Sequence, residues 1–371
     1  MPHSAAELTR LFEEQRARGA WSAGQLVVRR GGSIVFEHCT GEFVTSDGAG
    51  VQNAAKVTPE TRFQVMSASK PVVATAIALL EEQGRLSVEQ PVVELWPEFG
   101  AHGKQAVTIL DVLLHRSGLL TPELDAAPER WTPWSSLAAS IAATPLSAPR
   151  GTQAYNPLAF GWILAEIVRR VSGSSLPEFV QRTFPPELAG LEFFRNPSAT
   201  SACARTLWRG PQHLVVGGND IAPRFEQINN EVSGVSALVP GAGMFTNART
   251  LASFYETLAR GGTLPSGGRW LSRESVRRYT ARVSTRWDRS LRTFVPLGCG
   301  FGRGWLGPHV FGWWNTASCF GHAGGFSVVA FGDERFESGA AIVTDTNRSL
   351  SDVLRRFAPL GSAIAGLLRV T

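Results

Sequence analysis

The β-rich runs of this chain stand near its two ends, and that placement constrains its fold more than any other feature. Gln25-Leu26-Val27-Val28-Arg29 and Ser33-Ile34-Val35-Phe36-Glu37 flank Arg30-Gly31-Gly32, the pattern of a β-hairpin. At the other end, Gly325–Phe331 and Gly339–Thr344 flank a Gly332-Asp333-Glu334-Arg335 turn. Between them the periodicity is helical, over Thr108–His115, Ser135–Ala143, Leu158–Val171, Leu176–Arg182, 248–260 and 272–280. Further helices are expected over 5–18 and from Leu350 to about Leu368. Hairpins rather than β-α-β alternation predict an α+β fold. One antiparallel sheet is assembled from both ends and covered by the terminal helices, with a helical insertion. Residues 1–84 and 236–371 are expected to form the sheet-containing domain and residues 85–235 the mainly helical one.

Composition narrows the function. A hydrophobic content of 43% with 18% charged residues is that of a globular chain. The net charge of +5 comes from arginines interspersed with carboxylates, which argues against a nucleic-acid surface. The N-terminal residues lack a basic stretch followed by an apolar run, and no uninterrupted apolar segment is long enough to span a bilayer. A cytoplasmic protein without a membrane partner is the expectation. Cys39, Cys203, Cys299 and Cys319 show no C-x-x-C spacing, so free thiols are expected, with no metal and no cofactor.

Against an arginine-rich background the chain has three lysines, and one of them, Lys70, follows Ser67 by three residues. A desolvated lysine can give up its proton, whereas an arginine effectively never does. Chemistry that needs a neutral amine can therefore use Lys70. The strand expected at 62–66 runs into a helix from Ser67 to about Gln83, with Pro71 in its first turn and Gly84 at its end. At such a helix start Ser67 and Lys70 share a face, and free N–H groups are available to a developing oxyanion. An N-cap serine followed by a solvated lysine would look the same. Tyr155, one of three tyrosines, follows a turn-forming run and precedes a helix. A phenol near an ammonium can become a phenolate and move a proton to a leaving group. In Phe320-Gly321-His322-Ala323-Gly324-Gly325-Phe326, two glycines at a strand entrance suggest close approach of backbone to a ligand. The Gly325 N–H would complete an oxyanion hole with that of Ser67.

In this order and spacing the three elements resemble the serine β-lactamase/penicillin-binding-protein superfamily, and most of all the class C β-lactamase-like esterases known as family VIII carboxylesterases. Thr108-Ile109-Leu110-Asp111-Val112-Leu113-Leu114-His115-Arg116-Ser117-Gly118-Leu119 looks like the family's LL-x-H-x-SGL segment. Gly84–Phe99, Tyr155–Gly173 and Pro240–Thr246 resemble further family stretches. The resemblance implies a β-lactamase/transpeptidase-like fold, a sheet domain plus an all-helical one, with an acyl-enzyme mechanism at their interface. It makes Ser67 the nucleophile, Lys70 its base and Tyr155 the proton relay, and it puts His322-Ala323-Gly324 in the place of the Lys-Thr-Gly box. His115 becomes a residue bracing the Ser117-Gly118-Leu119 turn rather than a triad histidine paired with Asp111.

Two departures bear on the substrate. Tyr155-Asn156-Pro157 has proline where the β-lactamases carry asparagine, and His322, largely neutral at pH 7, replaces the cationic lysine. Both disfavour β-lactams and fit neutral esters. Trp134, Trp305, Trp313 and Trp314 are expected to line an aromatic pocket for apolar acyl or alcohol groups, although many such residues serve only as packing. The expected partner is a small-molecule ester. An acyltransferase, an amidase or β-lactamase-type hydrolase on the same machinery, and a catalytically silent binding protein stand as alternatives.

Overall fold

The computed structural model describes residues 4–46, 52–193, 203–216, 219–232, 235–314 and 316–371. Its centre is a nine-stranded sheet of β1 (Ala23–Arg30), β2 (Ser33–Ser46), β3 (Gln52–Lys56), β4 (Ser284–Asp288), β5 (Thr293–Leu297), β6 (Gly302–Arg303), β7 (Cys319–Gly324), β8 (Val328–Asp333) and β9 (Ser338–Thr344). The order across it is β3-β2-β1-β9-β8-β7-β6-β5-β4, with every neighbouring pair antiparallel. Strands from the two ends of the chain meet at its middle, where β1 pairs with β9 from Gly24↔Thr344 to Arg30↔Ser338. Gly31 and Gly32, with φ of 62° and 84°, make the two-residue β1–β2 turn, whose positive dihedrals match the twist of the strands.

The main helices are α1 (Ala5–Ala17), α2 (Lys70–Glu82), α3 (Ile109–Leu113), α4 (Trp134–Ala143), α5 (Ala159–Ser172), α6 (Leu176–Thr183), α7 (Ala248–Ala259), α8 (Arg273–Thr280) and α9 (Leu350–Leu367). Their starts follow local chemistry. Asn247 and Ser272 cap α7 and α8 through the N–H groups of Thr250 and Ser275, and Thr108 and Asp111 form a capping box on α3. Alternation along the central strands sorts side chains to two faces. Leu26, Val28, Val329, Phe331 and Ile342 pack beneath α1 and α9. Val27, Val328, Ala330, Ala341 and Val343 face a second core that continues unbroken through Ile77 of α2 to Ile163 of α5. Because β8 and β9 are buried on both faces, they read as apolar runs rather than alternating strands.

Three local expectations shift. A 3-10 turn, Met66–Ser69, precedes α2, which begins at Lys70 rather than Ser67. Ser69 Oγ donates to the Met66 carbonyl at 2.5 Å, a local side-chain bond that holds the tighter turn. The β8–β9 turn falls at 334–337, because Asp333 stays in the strand and its carboxylate accepts the Arg335 N–H at 3.0 Å. The short strands β4–β6 were not anticipated from the sequence.

Among the described residues, no helix is long and apolar enough to cross a membrane.

Candidate active site

Ser67 sits on the 3-10 turn at the entrance of α2, which is fixed from several sides. Before it, Phe63–Gln64 pairs with Phe245–Thr246, and Val65 N–H donates to the Met244 carbonyl at 2.9 Å. Met66, immediately ahead of the serine, adopts φ 48°, a left-handed conformation that a branched or bulky chain enters only under constraint. From the other side the end of β7 closes on the turn. A Cβ at Gly324 would lie 2.0 Å from the Val65 carbonyl oxygen, so only glycine permits this approach. Gly325 follows at φ 52°, beside Met66.

Lys70, the first residue of α2, is fully buried. Its Nζ stands 3.1 Å from Ser67 Oγ and donates to the carbonyls of Pro157, at 2.7 Å, and Gly241, at 2.9 Å. It also lies 5.0 Å from the Tyr155 ring centre and 5.8 Å from that of Phe160. Burial lowers its pKa to about 7, against the opposing pull of Asp125. A neutral amine has two N–H groups and one lone pair. With both N–H groups taken by carbonyls, the lone pair is left for Ser67.

Tyr155 lies in an irregular stretch ahead of α5, and its phenol donates to Ser67 Oγ at 2.8 Å. The stretch is held by its backbone. Ala154 N–H donates to the His115 carbonyl at 2.9 Å, Tyr155 N–H to Asp288 Oδ1 at 3.1 Å and Asn156 N–H to His115 Nδ1 at 3.1 Å. The His115 ring packs between those of Tyr155 and Phe160, 4.7 and 4.9 Å away. Burial, with the charges of Lys70 and His322, holds its pKa well below the usual range, so it is a neutral brace of the tyrosine segment. Asp111, the partner a Ser-His-Asp reading would require, is committed to the α3 capping box and to Arg150. Of the two forms open to Tyr155, the resting enzyme holds the protonated one. Burial first, then the Asp288 charge, push the Tyr155 pKa up, so the group is a phenol.

His322 in β7 is half-buried, its ring centre 6.2 Å from that of Tyr155. Burial and the Lys70 charge lower its pKa to about 3. Nδ1 lies 2.5 Å from the Ala323 carbonyl, which can only accept, so the proton is assigned to Nδ1 and Nε2 is an acceptor. Ala323 alternates to the opposite face and packs toward α9, leaving only its backbone on the Ser67 side. Asn156 is spent internally: Nδ2 donates to the Leu119 carbonyl at 2.8 Å, and Oδ1 accepts the Ala159 N–H at 3.0 Å.

The structure thus brings Ser67, Lys70, Tyr155, His322, Gly324 and Gly325 together, and it sets Trp134, Trp313 and Trp314 in other surroundings. Trp134 donates to Glu166 at 2.8 Å and lines a cleft of about 590 Å³ in the helical layer, whose walls include none of Ser67, Lys70, Tyr155, His322, Gly324 and Gly325. Trp305 is turned to the Pro308 carbonyl at 2.9 Å, Trp313 N–H donates to Ser362 of α9 at 2.9 Å, and Trp314 is 73% exposed. The segment carrying Trp313 and Trp314 packs with Phe311 beneath α9, on the sheet face opposite Ser67. Glu166 pairs with Arg169 and Arg170, the ordinary helical ion pairs, and Arg348 pairs with Asp352.

Sequence reasoning missed the Pro157 and Gly241 carbonyls, Asp125 and Asp288. Carbonyls carry no residue signature, and the two aspartates lie in segments with no motif around them.

Comparison with known proteins places the chain in a family. The family model described as Beta-lactamase matches residues 8–361. The Esterase/beta-lactamase LipL of Mycobacterium tuberculosis is 29% identical over 88% of this chain and 79% of that protein. The crystal structure of a penicillin-binding protein homologue from Caulobacter crescentus superposes with a TM-score of 0.79 at 26% identity, covering 98% of this chain and 97% of that one. A family VIII carboxylesterase shares the fold, with a TM-score of 0.76 at 22% identity over 95% of this chain and 96% of that one. The chain belongs to the beta-lactamase family.

Proposed function

We propose that this hydrolase cleaves carboxylic esters through an acyl-Ser67 intermediate. The observation that carries the reading is the buried Lys70 amine, held by two carbonyls with its lone pair toward a serine that also accepts a bond from a protonated tyrosine. As Ser67 Oγ bonds to the ester carbon, its proton passes to Lys70 Nζ. The N–H groups of Ser67 and Gly325, brought close where β7 meets the turn, receive the carbonyl oxygen as it becomes an oxyanion. When the C–O bond to the alcohol breaks, Tyr155 gives its proton to the leaving oxygen and Lys70 ammonium restores it. Water repeats the sequence on the acyl-enzyme, releasing the acid and freeing Ser67.

The substrate class follows from what flanks the machinery. His322 offers a neutral acceptor where a cation would draw a carboxylate, and Asn156 has no free amide for an acylamino group. Both favour uncharged esters over β-lactams, a choice that the name of the Mycobacterium tuberculosis relative, which joins the two activities, leaves open. The test is turnover of short- and medium-chain nitrophenyl esters and of nitrocefin, with fluorophosphonate adducts located by mass spectrometry. Ester turnover with label on Ser67, both lost in Ser67→Ala, is expected. Faster nitrocefin than ester turnover overturns the substrate class, and absence of label on Ser67 overturns the mechanism.

A further inference from the structure

Residues 152–156 form no helix or strand, yet the Tyr155 phenol must stay within hydrogen-bond reach of Ser67. Its position therefore depends on where the backbone N–H groups of this stretch are bonded. Two of three consecutive groups, those of Ala154 and Asn156, go to His115 on one side. The middle one, that of Tyr155 itself, points the other way and ends on Asp288.

Asp288 closes strand β4 at the edge of the sheet and is 1% exposed, although the strand around it is largely solvent-facing. One of its oxygens, Oδ1, accepts three backbone N–H groups: Tyr155 at 3.1 Å, Ser290 at 2.9 Å and Leu291 at 3.0 Å. The last two are the ordinary work of an aspartate at a turn, and they fix the carboxylate relative to the β4–β5 hairpin. The first carries that fixed point 133 residues back along the chain to the tyrosine. A neighbouring clamp runs the opposite way, with Arg289 N–H donating to the Gln153 carbonyl at 3.1 Å.

We propose that Asp288 is a positioning residue for Tyr155, holding its backbone against the sheet-edge hairpin so that the phenol keeps its register on Ser67. The inference rests on the proton-relay role given to Tyr155 above. Asp288 touches neither Ser67 nor any atom proposed to react; it holds the tyrosine through the N–H, while its charge acts on the phenol at a distance, an effect that Asp288→Asn removes while keeping the bond. Displacing a catalytic group by about an ångström can cost on the order of a hundredfold in rate, so loss of this bond should appear in turnover rather than substrate binding.

Three variants separate this role from turn stability. Asp288→Ala removes the acceptor altogether. Asp288→Ser keeps a hydroxyl able to cap the turn, but its oxygen falls one bond short of the tyrosine N–H. Asp288→Asn keeps Oδ1 in place. Steady-state kinetics with a nitrophenyl ester are read beside hydrogen–deuterium exchange of a peptide spanning 152–156. Asp288→Ala and Asp288→Ser should lose about 10- to 100-fold in kcat with KM within about twofold, while Asp288→Asn stays within about threefold of wild type. Exchange over 152–156 should quicken in Ala and Ser but not in Asn. Should Asp288→Ala fail to fold, Asp288→Ser carries the test. Wild-type kcat in the serine variant, or an asparagine variant as slow as the serine one, overturns the inference. Were the wild-type protein to show neither ester turnover nor a Ser67 label, the esterase reading would fall, and the exchange pattern alone would decide the role of Asp288.

Discussion

Lys70 does at residue scale what no other cation among the described residues is placed to do. It is charged below a pKa of about 7 and neutral above it, and only the neutral form can take the Ser67 proton. The rate constant kcat/KM should therefore rise about tenfold per pH unit below that value and level off above it, since below the pKa each unit changes the neutral fraction about tenfold. His322, with a pKa of about 3, should leave no inflection of its own between pH 5 and 9. A Lys70→Arg variant keeps the charge and abolishes the base, so a loss of at least about a thousandfold in kcat is expected, read in the same ester assay. An acidic limb that survives in Lys70→Arg with near-normal turnover would assign the base elsewhere. Ser67, Lys70 and Tyr155 were picked out in the sequence by residue type and spacing, and the family resemblance gave them their roles. The oxygens that aim Lys70 were not, because Pro157 and Gly241 contribute carbonyls that any residue could supply. The tyrosine's resting protonation state was left open by the sequence because it depends on burial and on Asp288, which only tertiary structure brings near.

At the scale of elements, the site is a junction between the 3-10 turn before α2 and the end of β7, and Gly324 is where they touch. A methyl group there would meet the Val65 carbonyl at 2.0 Å, and that obstacle is backbone that cannot rotate away. Gly324→Ala must push β7 off the turn, separating the Gly325 N–H from Ser67. Overpacking of this kind costs on the order of 1–3 kcal/mol, measurable by urea denaturation, and kcat should fall while far-ultraviolet circular dichroism stays native. Unchanged kcat in a folded Gly324→Ala protein would show that β7 contributes nothing to carbonyl activation. The paired glycines were compatible with this closeness, although for the glycines alone a bend before an edge strand was the better explanation until the turn was seen against them. Strands β4 to β6 gave no such notice. Two of them are short and exposed, with Arg286, Trp287 and Phe294 on the surface, so hydrophobic alternation is weak. Their pairing extends a sheet whose centre is β1, β8 and β9.

For the whole molecule, a sheet closed by both ends was readable from the hairpins, because β8 and β9 are apolar on both faces and have to be central. That one core runs from this sheet to α5 has a cost, since it encloses the Lys70 amine at the meeting point. In the unfolded chain this lysine titrates near 10.5; folded, near 7. Between those values the unfolded state binds more protons, so global stability rises with pH through the window, and below about pH 7 the folded protein bears the full penalty of a buried charge. Each pH unit inside the window is worth up to about 1.4 kcal/mol. Cys39 opposes this above pH 9, its thiol being pushed up to about 11 by burial, so the comparison must be made against a variant. Lys70→Met removes the titrating group and leaves Cys39 in place. Asp125, raised by burial to about 7 and drawn down by Lys70, would rise further in that variant, tilting its stability downward with pH and widening the difference. Unfolding free energies from urea titrations at pH 7.5, 8.5 and 9.5 should therefore climb for the wild type relative to Lys70→Met by about 1 kcal/mol per unit or more. Parallel curves for the two proteins would mean that the buried amine keeps its proton across this range, and the neutral base on which acylation depends would not exist in the folded enzyme.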